Sequence, residues 1–294
     1  MAAVAGVQPG RSTGSARRAR QRRTWIGTPV SWLIILIVLA ITLVPMLYMI
    51  VGGFRTTAQL NTTPAGLPHP WVWGNYAAVL TSSIFWDAVG SSALIAVIAT
   101  TLAVAFGSMA GFALSRYEFR GRDGIYLLFV AGLLFPANAA ALPLFLLVQR
   151  LGLLDNFLGV ALPEAAFSLP VTIVIMRPFM RAIPAELQEA AIVDGATRFR
   201  FFVRILLPLC RPALITVGIL AFVTSWNNYL LPLVMFTTPS HFTLPLAVQN
   251  FQSEYTQDTA RVFAFTALSM VPALAIFVFA QRRLVGGLVG AIKG

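Results

Sequence analysis

The sequence predicts an all-α polytopic membrane protein with six transmembrane helices. Of its 294 residues, 58% are hydrophobic and only 11% are charged, and its mean hydropathy is +0.80. A soluble domain is about half apolar and about a quarter charged. Because this much apolar surface cannot be buried in one aqueous core, lipid must be the solvent for most of the chain.

Six segments are apolar and long enough to cross a bilayer, which takes about 20 mainly apolar residues. They are residues 32–51, 88–115, 124–148, 158–180, 212–236 and 262–281. The second and third segments are separated only by a short polar turn at 116–123. We therefore expect these two helices to be antiparallel neighbours.

The basic residues are concentrated on one side of the predicted helices. If the N-terminus is cytoplasmic, only Arg55, Arg150 and Arg261 of the 21 lysines and arginines fall outside the cytoplasmic segments. This positive-inside pattern predicts that both termini are cytoplasmic. It also accounts for the formal net charge of +11 without a nucleic-acid partner.

The first 28 residues are basic and poor in large apolar side chains, which predicts a disordered cytoplasmic tail. A nucleic-acid arm and the start of a cleaved signal peptide are the alternatives. The apolar run that follows is longer than the core of a signal peptide, which favours the tail.

Residues 181–208 form a long cytoplasmic segment with its own helical signals. Pro184 suits a helix start, and good helix formers follow it. Asp194–Gly195 then breaks the helix, Thr197 can cap a second one, and Pro208 is expected to end it. We predict two short amphipathic helices around a glycine turn. Glu189 is expected near the C-terminal end of the first, paired with Arg198, Arg200 or a cation on a partner chain.

The letters of this segment carry a resemblance to a known family. Residues 189–208, E-A-A-I-V-D-G-A-T-R-F-R-F-F-V-R-I-L-L-P, resemble the E-A-A loop of binding-protein-dependent ABC importer permeases. The matching positions are Glu189, Ala190, Ala191, Asp194, Gly195, Ile205, Leu207 and Pro208. Residues 111–123 and 151–155, and Trp226–Asn227 with Leu231–Pro232, are similar to the maltose-type, carbohydrate-importing branch. Asn228 and Gly90 depart from that branch, which commonly has an acidic residue and Asn there.

The resemblance implies the type I ABC importer permease fold and a multi-pass subunit of a bacterial plasma membrane. The implied cargo is a sugar or oligosaccharide. The implied partners are a second homologous permease subunit, two ATP-binding-cassette ATPase subunits and an extracytoplasmic sugar-binding protein, and the E-A-A loop would dock on the ATPases. The chain would then comprise the tail (1–28), the first helix with an external loop (29–87), the permease core (88–282) with its coupling loop (181–208), and a flexible glycine-rich cytoplasmic tail (283–294).

The chain lacks the residues of an ATPase or a metalloenzyme. A phosphate-binding P-loop needs G-x-x-x-x-G-K followed by Ser or Thr, and the only lysine is Lys293. Cys210 is the only cysteine and is far in sequence from His69 and His241. We therefore predict a transport subunit that is not an enzyme and binds no metal or cofactor, with ATP and Mg²⁺ bound by the partner ATPase subunits.

Broken helices and polar groups inside a membrane mark transport pathways. Pro136, Asn138 and Pro143 are expected to interrupt the third segment. The fourth segment is expected to be interrupted by Pro163, Pro170 and Pro178. The candidate pathway residues are Glu164 and Ser168, which share a helix face with Thr172, and Thr224, Trp226, Asn227 and Asn228, with Trp226 offering a ring face to a sugar. Alternatively, Glu164 is a first-turn acid favoured by the helix dipole, and the Asn and Thr side chains join helices.

Two other functions fit parts of this pattern. An importer of the same architecture for a phosphodiester or a peptide would share the E-A-A loop. A secondary transporter acting alone would show inverted repeats and ion-coupling acids at the membrane midplane, and neither is clear in the sequence.

Overall fold

The computed structural model describes residues 29–251 and 258–292, and every regular element in these ranges is helical. The all-α class is therefore confirmed. The predicted N-terminal tail, 1–28, lies outside the described residues. The chain divides into two compact units, of which the first ends at Met49 and the second begins at Ile50.

The first helix, α1, is Pro29–Gly52. Its 24 residues give a length of about 36 Å at 1.5 Å per residue, enough to cross the roughly 30 Å hydrocarbon core.

The second unit is built from long helices joined by short ones. In chain order they are α2 (Thr57–Thr62), α3 (Gly74–Leu80), α4 (Ser83–Arg116), α5 (Arg122–Gly132), α6 (Ala141–Arg150), α7 (Phe157–Ala182), α8 (Glu186–Val193), α9 (Arg198–Phe201), α10 (Leu207–Leu209), α11 (Arg211–Trp226), α12 (Leu230–Met235), α13 (Leu244–Ala247) and α14 (Thr259–Ile292). A π-helical turn at Phe202–Leu206 and 3₁₀ turns at Ala137–Ala140, Pro239–His241 and Val248–Phe251 complete the described elements.

Four helices are individually long and apolar enough to cross a bilayer: α1, α4, α7 and α14. Two bent pairs add up to two further spans within the described ranges. The pair Arg122–Gly132 and Ala137–Arg150 is bent by 93°, and the pair Arg198–Leu209 and Arg211–Trp226 by 82°. The six predicted segments thus correspond to four single helices and up to two broken ones.

The proline positions predicted one break correctly and another wrongly. The third segment is interrupted between Gly132 and Ala137, as expected from Pro136. The fourth segment is not interrupted. It forms one continuous helix, α7, which contains Pro163, Pro170 and Pro178. Close packing against α4 supports the continuous α7 helix. A Cβ atom on Gly107 of α4 would lie only 2.4 Å from Cγ2 of Thr172 of α7. Neighbouring helices allow proline within a membrane helix in this way.

The fifth segment, predicted as one span over 212–236, is broken after Trp226. The Asn227 side-chain NH₂ donates to the Val223 carbonyl (2.9 Å), and the Asn228 side-chain oxygen accepts from the Leu231 backbone amide (3.3 Å). Asparagine side chains that bond the backbone in this way compete with the helical ladder. The break therefore has a local cause.

The last helix extends beyond the predicted sixth span. Residues 283–292, predicted as a flexible tail, continue α14 as far as Ile292. Extending an existing helix requires no new nucleus, so glycines such as Gly286 and Gly290 are tolerated there.

Helix α4 lies at the centre of the second unit and packs against α7 and α11. One core cluster joins Ile95 and Ala99 of α4 to Val160 of α7 and to Leu231 and Met235 of α12. Helix α12, which follows the break after α11, is therefore packed directly against α4 and α7.

Candidate functional site

Two features of the second unit are candidates for function. The first is the helical loop 181–208, and the second is a polar cavity between α7 and α11.

The loop contains the predicted helix pair and glycine turn. After α8, the backbone turns at Gly195, whose φ is +80°, a left-handed conformation that favours glycine. The Gly195 amide donates to the Ile192 carbonyl and the Ala196 amide to the Ala191 carbonyl, both at 2.9 Å. These bonds close the C-terminus of α8.

The second part of the loop begins at Thr197, whose hydroxyl accepts from the Arg200 amide (3.2 Å) as an N-cap. The helical run continues through the π turn and α10 to Leu209. Pro208 was expected to end this helix, and that prediction is wrong. The helical run passes Pro208 by one residue, to Leu209, and the chain turns at Cys210 instead.

The inner face of the loop is buried against the ends of two long helices. Phe201, Phe202 and Leu206 form one core cluster with Phe112 of α4 and Met180 of α7. The Phe112 and Phe202 rings stack with centroids 4.9 Å apart. The loop is therefore joined tightly to the long helices.

Arg116 strengthens this joint from the end of α4. Its Nη2 donates to the carbonyls of Met180 (2.8 Å) and Ile183 (2.7 Å), at the C-terminal end of α7. A cation at a helix C-terminus is favoured by the helix dipole. The end of α7 and the start of the loop are thus fixed to α4.

The outer face of the loop is open, and most E-A-A positions lie on it. Glu189, Ala190, Asp194, Gly195 and Pro208 are exposed, Ile205 and Leu207 are half-buried, and Ala191 is in the core. Large apolar side chains stand beside them, with Val193 87% and Phe199 68% exposed.

Glu189 is not where the sequence predicted. It lies in the first turn of α8 rather than near its C-terminal end. An acid in a first turn is favoured by the helix dipole, so its charge requires no arginine across the turn. Among the described ion pairs none involves Glu189.

The second feature centres on Glu164 of α7. Its side chain is 5% exposed, and its Oε2 accepts a hydrogen bond from the Ser225 hydroxyl at the end of α11. Its Oε1 is buried and accepts no bond from the described residues. The Ser168 hydroxyl donates to the Glu164 carbonyl (2.9 Å), and that of Thr172 to the Ser168 carbonyl (2.8 Å).

Glu164 borders a cavity of about 90 Å³. The cavity lies where the break in the third segment meets the break in the fifth. Its walls are formed by Ala137, Asn138, Glu164, Phe167, Ser168, Thr224, Ser225, Asn228, Leu230 and Leu231. The structure thus brings four of the predicted pathway residues together: Glu164, Ser168, Thr224 and Asn228.

The other two predicted pathway residues do not line this cavity. Trp226 is buried in a core cluster with Phe85 and Phe265 and stacks on Phe222 at 5.6 Å. Asn227 is exposed and bonds the Val223 carbonyl. Successive residues of a helix are rotated by about 100°, so neighbours of Ser225 need not share its direction.

Sequence reasoning missed part of the cavity wall. Ser225, which donates a hydrogen bond to Glu164, was not predicted, although it lies between the candidates Thr224 and Trp226 at a polar helix end. Asn138 was noted only as a helix breaker. Phe167, Leu230 and Leu231 are apolar and gave no signal.

A separate polar cluster joins two loops of the second unit, and we call it the Asp155 clamp. The Asp155 carboxylate accepts from the amides of Thr237 and Thr238, both at 3.0 Å, and from the Thr238 hydroxyl. It also lies 3.3 Å from Nδ1 of His241. The Asp155 amide donates to the Met235 carbonyl (2.9 Å). The start of α7 is thereby tied to the end of α12.

Ionisation of Asp155 is decided by opposing effects. Burial alone would raise its pKa, but the hydrogen bonds from Thr238 and Thr237, together with the adjacent His241 ring, favour the carboxylate and outweigh burial. The pKa of Asp155 therefore lies well below its ordinary value, and the clamp is charged at neutral pH.

Comparison with known families agrees with this architecture. Residues 103–288 match the family described as binding-protein-dependent transport system inner membrane component. The match covers more than half of the chain, and the chain belongs to this family.

Curated relatives extend the match over most of the chain. A putative ABC transporter permease protein, ORF2, of Caldicellulosiruptor sp. (strain Rt8B.4) is 37% identical, covering 85% of this chain and 92% of that relative. The diacetylchitobiose uptake system permease protein NgcG of Streptomyces coelicolor is 35% identical, covering 84% of this chain and 82% of that relative.

A solved structure shares the fold. In the crystal structure of a bacterial ABC transporter involved in the import of the acidic polysaccharide alginate, one chain superposes with a TM-score of 0.74 at 23% identity. The match covers 94% of this chain and 99% of that one. The protein therefore has the type I ABC importer permease fold and is a membrane component of a transport system.

Proposed function

We propose that this chain is the permease subunit of an ABC importer that translocates a sugar or oligosaccharide. An extracytoplasmic binding protein delivers the solute, and separate ATPase subunits drive transport. The observation that carries the proposal is the joint between the exposed loop and the ends of α4 and α7. The helix that receives this joint, α7, also carries Glu164 on the cavity wall.

The loop has the form expected of a coupling element. A partner that moves its outer face would move α4 and α7 with it, because the inner face is close-packed. We assign the exposed positions Glu189, Ala190, Asp194, Gly195 and Pro208 to ATPase contact. Ala191, Ile205 and Leu207 would position the loop from within.

ATP and Mg²⁺ would be bound by the partner ATPases, and this chain would hold no cofactor. The absence of a P-loop lysine from the sequence supports this division.

A saccharide is the cargo that best suits the cavity and the relatives. One carboxylate, two carboxamides and several hydroxyls can donate to or accept from sugar hydroxyls. The named cargo of the Streptomyces relative is diacetylchitobiose, and that of the matched crystal structure is alginate.

A second, homologous permease subunit would complete the pathway. The cavity of about 90 Å³ is well below the roughly 300–1,000 Å³ of ligand sites. One chain therefore provides only part of a wall, and the facing wall would come from the partner permease.

The arginine distribution supports cytoplasmic termini in a bacterial plasma membrane, with the loop 181–208 inside and the Asp155 clamp outside. Glu118 and Ser240 are both exposed and would lie on opposite sides. With Cys210→Ser as background, a cysteine at position 118 should resist an impermeant maleimide in intact cells, while one at 240 should react. The reverse pattern would overturn this orientation.

Co-purification and uptake test the proposed function. The tagged chain, extracted in mild detergent, should carry a second permease and an ATPase with it. Cells that lack it should lose uptake of one labelled saccharide from a panel while retaining peptide and glycerophosphodiester uptake. If only peptide uptake or only glycerophosphodiester uptake is lost, the complex is an importer of that solute and not of a saccharide.

A further inference from the structure

The chain between α1 and α4 exposes large aromatic side chains. We call residues 53–86 the aromatic segment, which contains α2, α3 and the first turn of α4. The indole of Trp73 is 67% exposed, that of Trp86 57% and that of Trp71 50%. Leu67 of the same segment is 80% exposed. Exposed apolar side chains grouped in this way mark an interaction surface.

Hydrogen bonds to the backbone hold the aromatic segment in shape. The Arg55 guanidinium is buried and donates to the carbonyls of Gln59 (2.7 Å) and Pro64 (2.9 Å). The Asn75 carboxamide donates to the carbonyls of Gly53 (3.0 Å) and Arg55 (2.8 Å). The exposed rings therefore stand on a backbone that is already fixed before any partner arrives.

Ring contacts join two of the tryptophans into one patch. The Phe54 ring centroid lies 5.4 Å from that of Trp71 and 4.7 Å from that of Trp73. The Trp71 and Trp73 rings stack with centroids 6.4 Å apart and planes inclined by 25°. Among the described residues, neither indole N–H has an acceptor. The patch thus offers apolar ring surface together with two free donors.

The aromatic segment exposes almost no charge. From Thr56 to Trp86 there is no lysine, arginine, aspartate or glutamate, and the guanidinium of Arg55 is buried. Complementary charges steer soluble partners to their docking surfaces, and this surface has none to offer. Its chemistry suits the boundary between lipid headgroups and acyl chains, where tryptophan and tyrosine are concentrated.

The position of the segment along the membrane helices points to the same boundary. The Tyr76 hydroxyl donates to the Ile50 carbonyl (2.7 Å), in the last turn of α1. A Cβ atom on Gly52, where α1 ends, would overlap the Phe263 ring in the second turn of α14. Both helices are long and apolar enough to cross a bilayer. The segment therefore lies where membrane-spanning helices end, which is the level of the headgroups.

We propose that the aromatic segment is a membrane anchor, with Leu67, Trp71 and Trp73 inserted among the headgroups and upper acyl chains of the adjacent leaflet. Burial of the two rings and of Leu67 drives insertion, and the indole N–H groups donate to phosphate or ester oxygens of the lipid. Because the segment has no exposed lysine or arginine, insertion does not depend on anionic lipid.

Spin-label depth measurements test the anchor. Leu67→Cys, in a Cys210→Ser background, is labelled with a nitroxide in the purified complex in nanodiscs, without the binding protein. Collisions of the label with oxygen and with a nickel chelate are then measured. The exposed positions Leu36 of α1 and Ser240, changed to Cys in turn, provide the lipid and water references. We expect the label at position 67 to lie about 5–10 Å inside the headgroup boundary, in phosphatidylcholine and in phosphatidylglycerol alike.

Two variants complete the design. Trp71→Ser combined with Trp73→Ser removes both rings, so the label at position 67 should move to the depth of the water reference. Asn61→Ser changes an exposed polar side chain of the same segment and should leave the depth unchanged. Size-exclusion chromatography shows whether each complex has assembled, and the wild-type depth decides the proposal if the double variant does not. An unchanged depth in an assembled double variant would overturn the role of the rings.

Four further outcomes would overturn the proposal. Nickel collisions as frequent at position 67 as at 240 would place the segment in water. Protection from both oxygen and nickel would place it against protein, and protection that requires the binding protein would make it that protein's docking surface. Insertion only in phosphatidylglycerol would assign it to electrostatic attraction. The measurement requires neither solute nor ATP, so its result is independent of the proposed function.

Discussion

The ring of Phe112, on α4, stacks on the ring of Phe202, in the exposed loop, with centroids 4.9 Å apart and planes inclined by 29°. Phe202 is buried, while Phe199, one helical turn earlier, is 68% exposed. Phe202 therefore lies on the buried surface of the loop, and Phe199 lies on the exposed surface. One surface is fixed to the long helices, and the other is free to meet a partner.

This separation predicts opposite phenotypes for two matched substitutions. Phe202→Ala should destabilise the chain by about 3–5 kcal/mol, the usual cost of truncating a buried phenylalanine, and should uncouple ATP hydrolysis from uptake. Phe199→Ala should leave the thermal unfolding temperature unchanged and weaken ATPase association instead. Unfolding in detergent and co-purified ATPase are the measurements. Equal unfolding temperatures for the two variants would contradict the assignment of the surfaces.

Gly195 offers a test of loop geometry. Its φ of +80° is strained for other residues, although a Cβ there would meet open space. Gly195→Val should therefore cost about 1–2 kcal/mol and shift α8 relative to α9. We expect normal insertion but reduced stimulation of ATPase activity by the loaded binding protein. Gly195→Asn is the control, since asparagine tolerates this conformation better. Normal coupling in Gly195→Val would exclude the loop as the coupling element.

The Asp155 clamp predicts a defined pH dependence. Because the folded-state pKa of Asp155 is lowered, its stabilisation is present above the ordinary pKa of 3.8 and is lost as pH falls through the lower folded-state value. Asp155→Asn should reduce the free energy of unfolding by about 1–3 kcal/mol at neutral pH. The difference from wild type should shrink only below about pH 4.

The exposed Asp87 provides the control for the clamp, because Asp87→Asn should have little effect at any of these pH values. Thermal unfolding in detergent across the pH range gives the answer. A difference between Asp155→Asn and wild type that grew as the pH fell below about 4 would show that the sign is wrong.

Two glycines of α4 provide a matched pair for helix packing. A Cβ at Gly107 would lie 2.4 Å from the Thr172 side chain, whereas one at Gly90 would meet nothing within 4 Å. Gly107→Ala should therefore destabilise the chain by about 1–3 kcal/mol through overpacking. Gly90→Ala should be neutral or stabilising by about 0.4–1 kcal/mol. Similar unfolding temperatures for both variants would contradict the close approach of α4 and α7.

The sequence predicted best what depends on local signals. Apolar length located the membrane segments, and Asp194–Gly195 located the turn of the loop. Local signals failed where neighbouring helices decide the outcome. The prolines of α7 favoured breaks, but packing against α4 keeps that helix continuous.

The candidate site was predicted in part for the same reason. Glu164 and Asn228 were both predicted as polar groups within apolar segments, and they line one cavity. Trp226 was chosen for its chemistry, but the sequence alone does not show which neighbouring helices the last residue of α11 faces. Ser225 became recognisable only once α7 and α11 were placed side by side.

The central claim is that this chain carries a saccharide across the membrane under the control of partner subunits. The most direct measurement is accumulation of a labelled saccharide in proteoliposomes that contain the purified complex. We predict accumulation that requires ATP on the ATPase side and the binding protein on the other, and that Gly195→Val reduces strongly. Accumulation by this chain alone, driven by an ion gradient without ATP, would contradict the account.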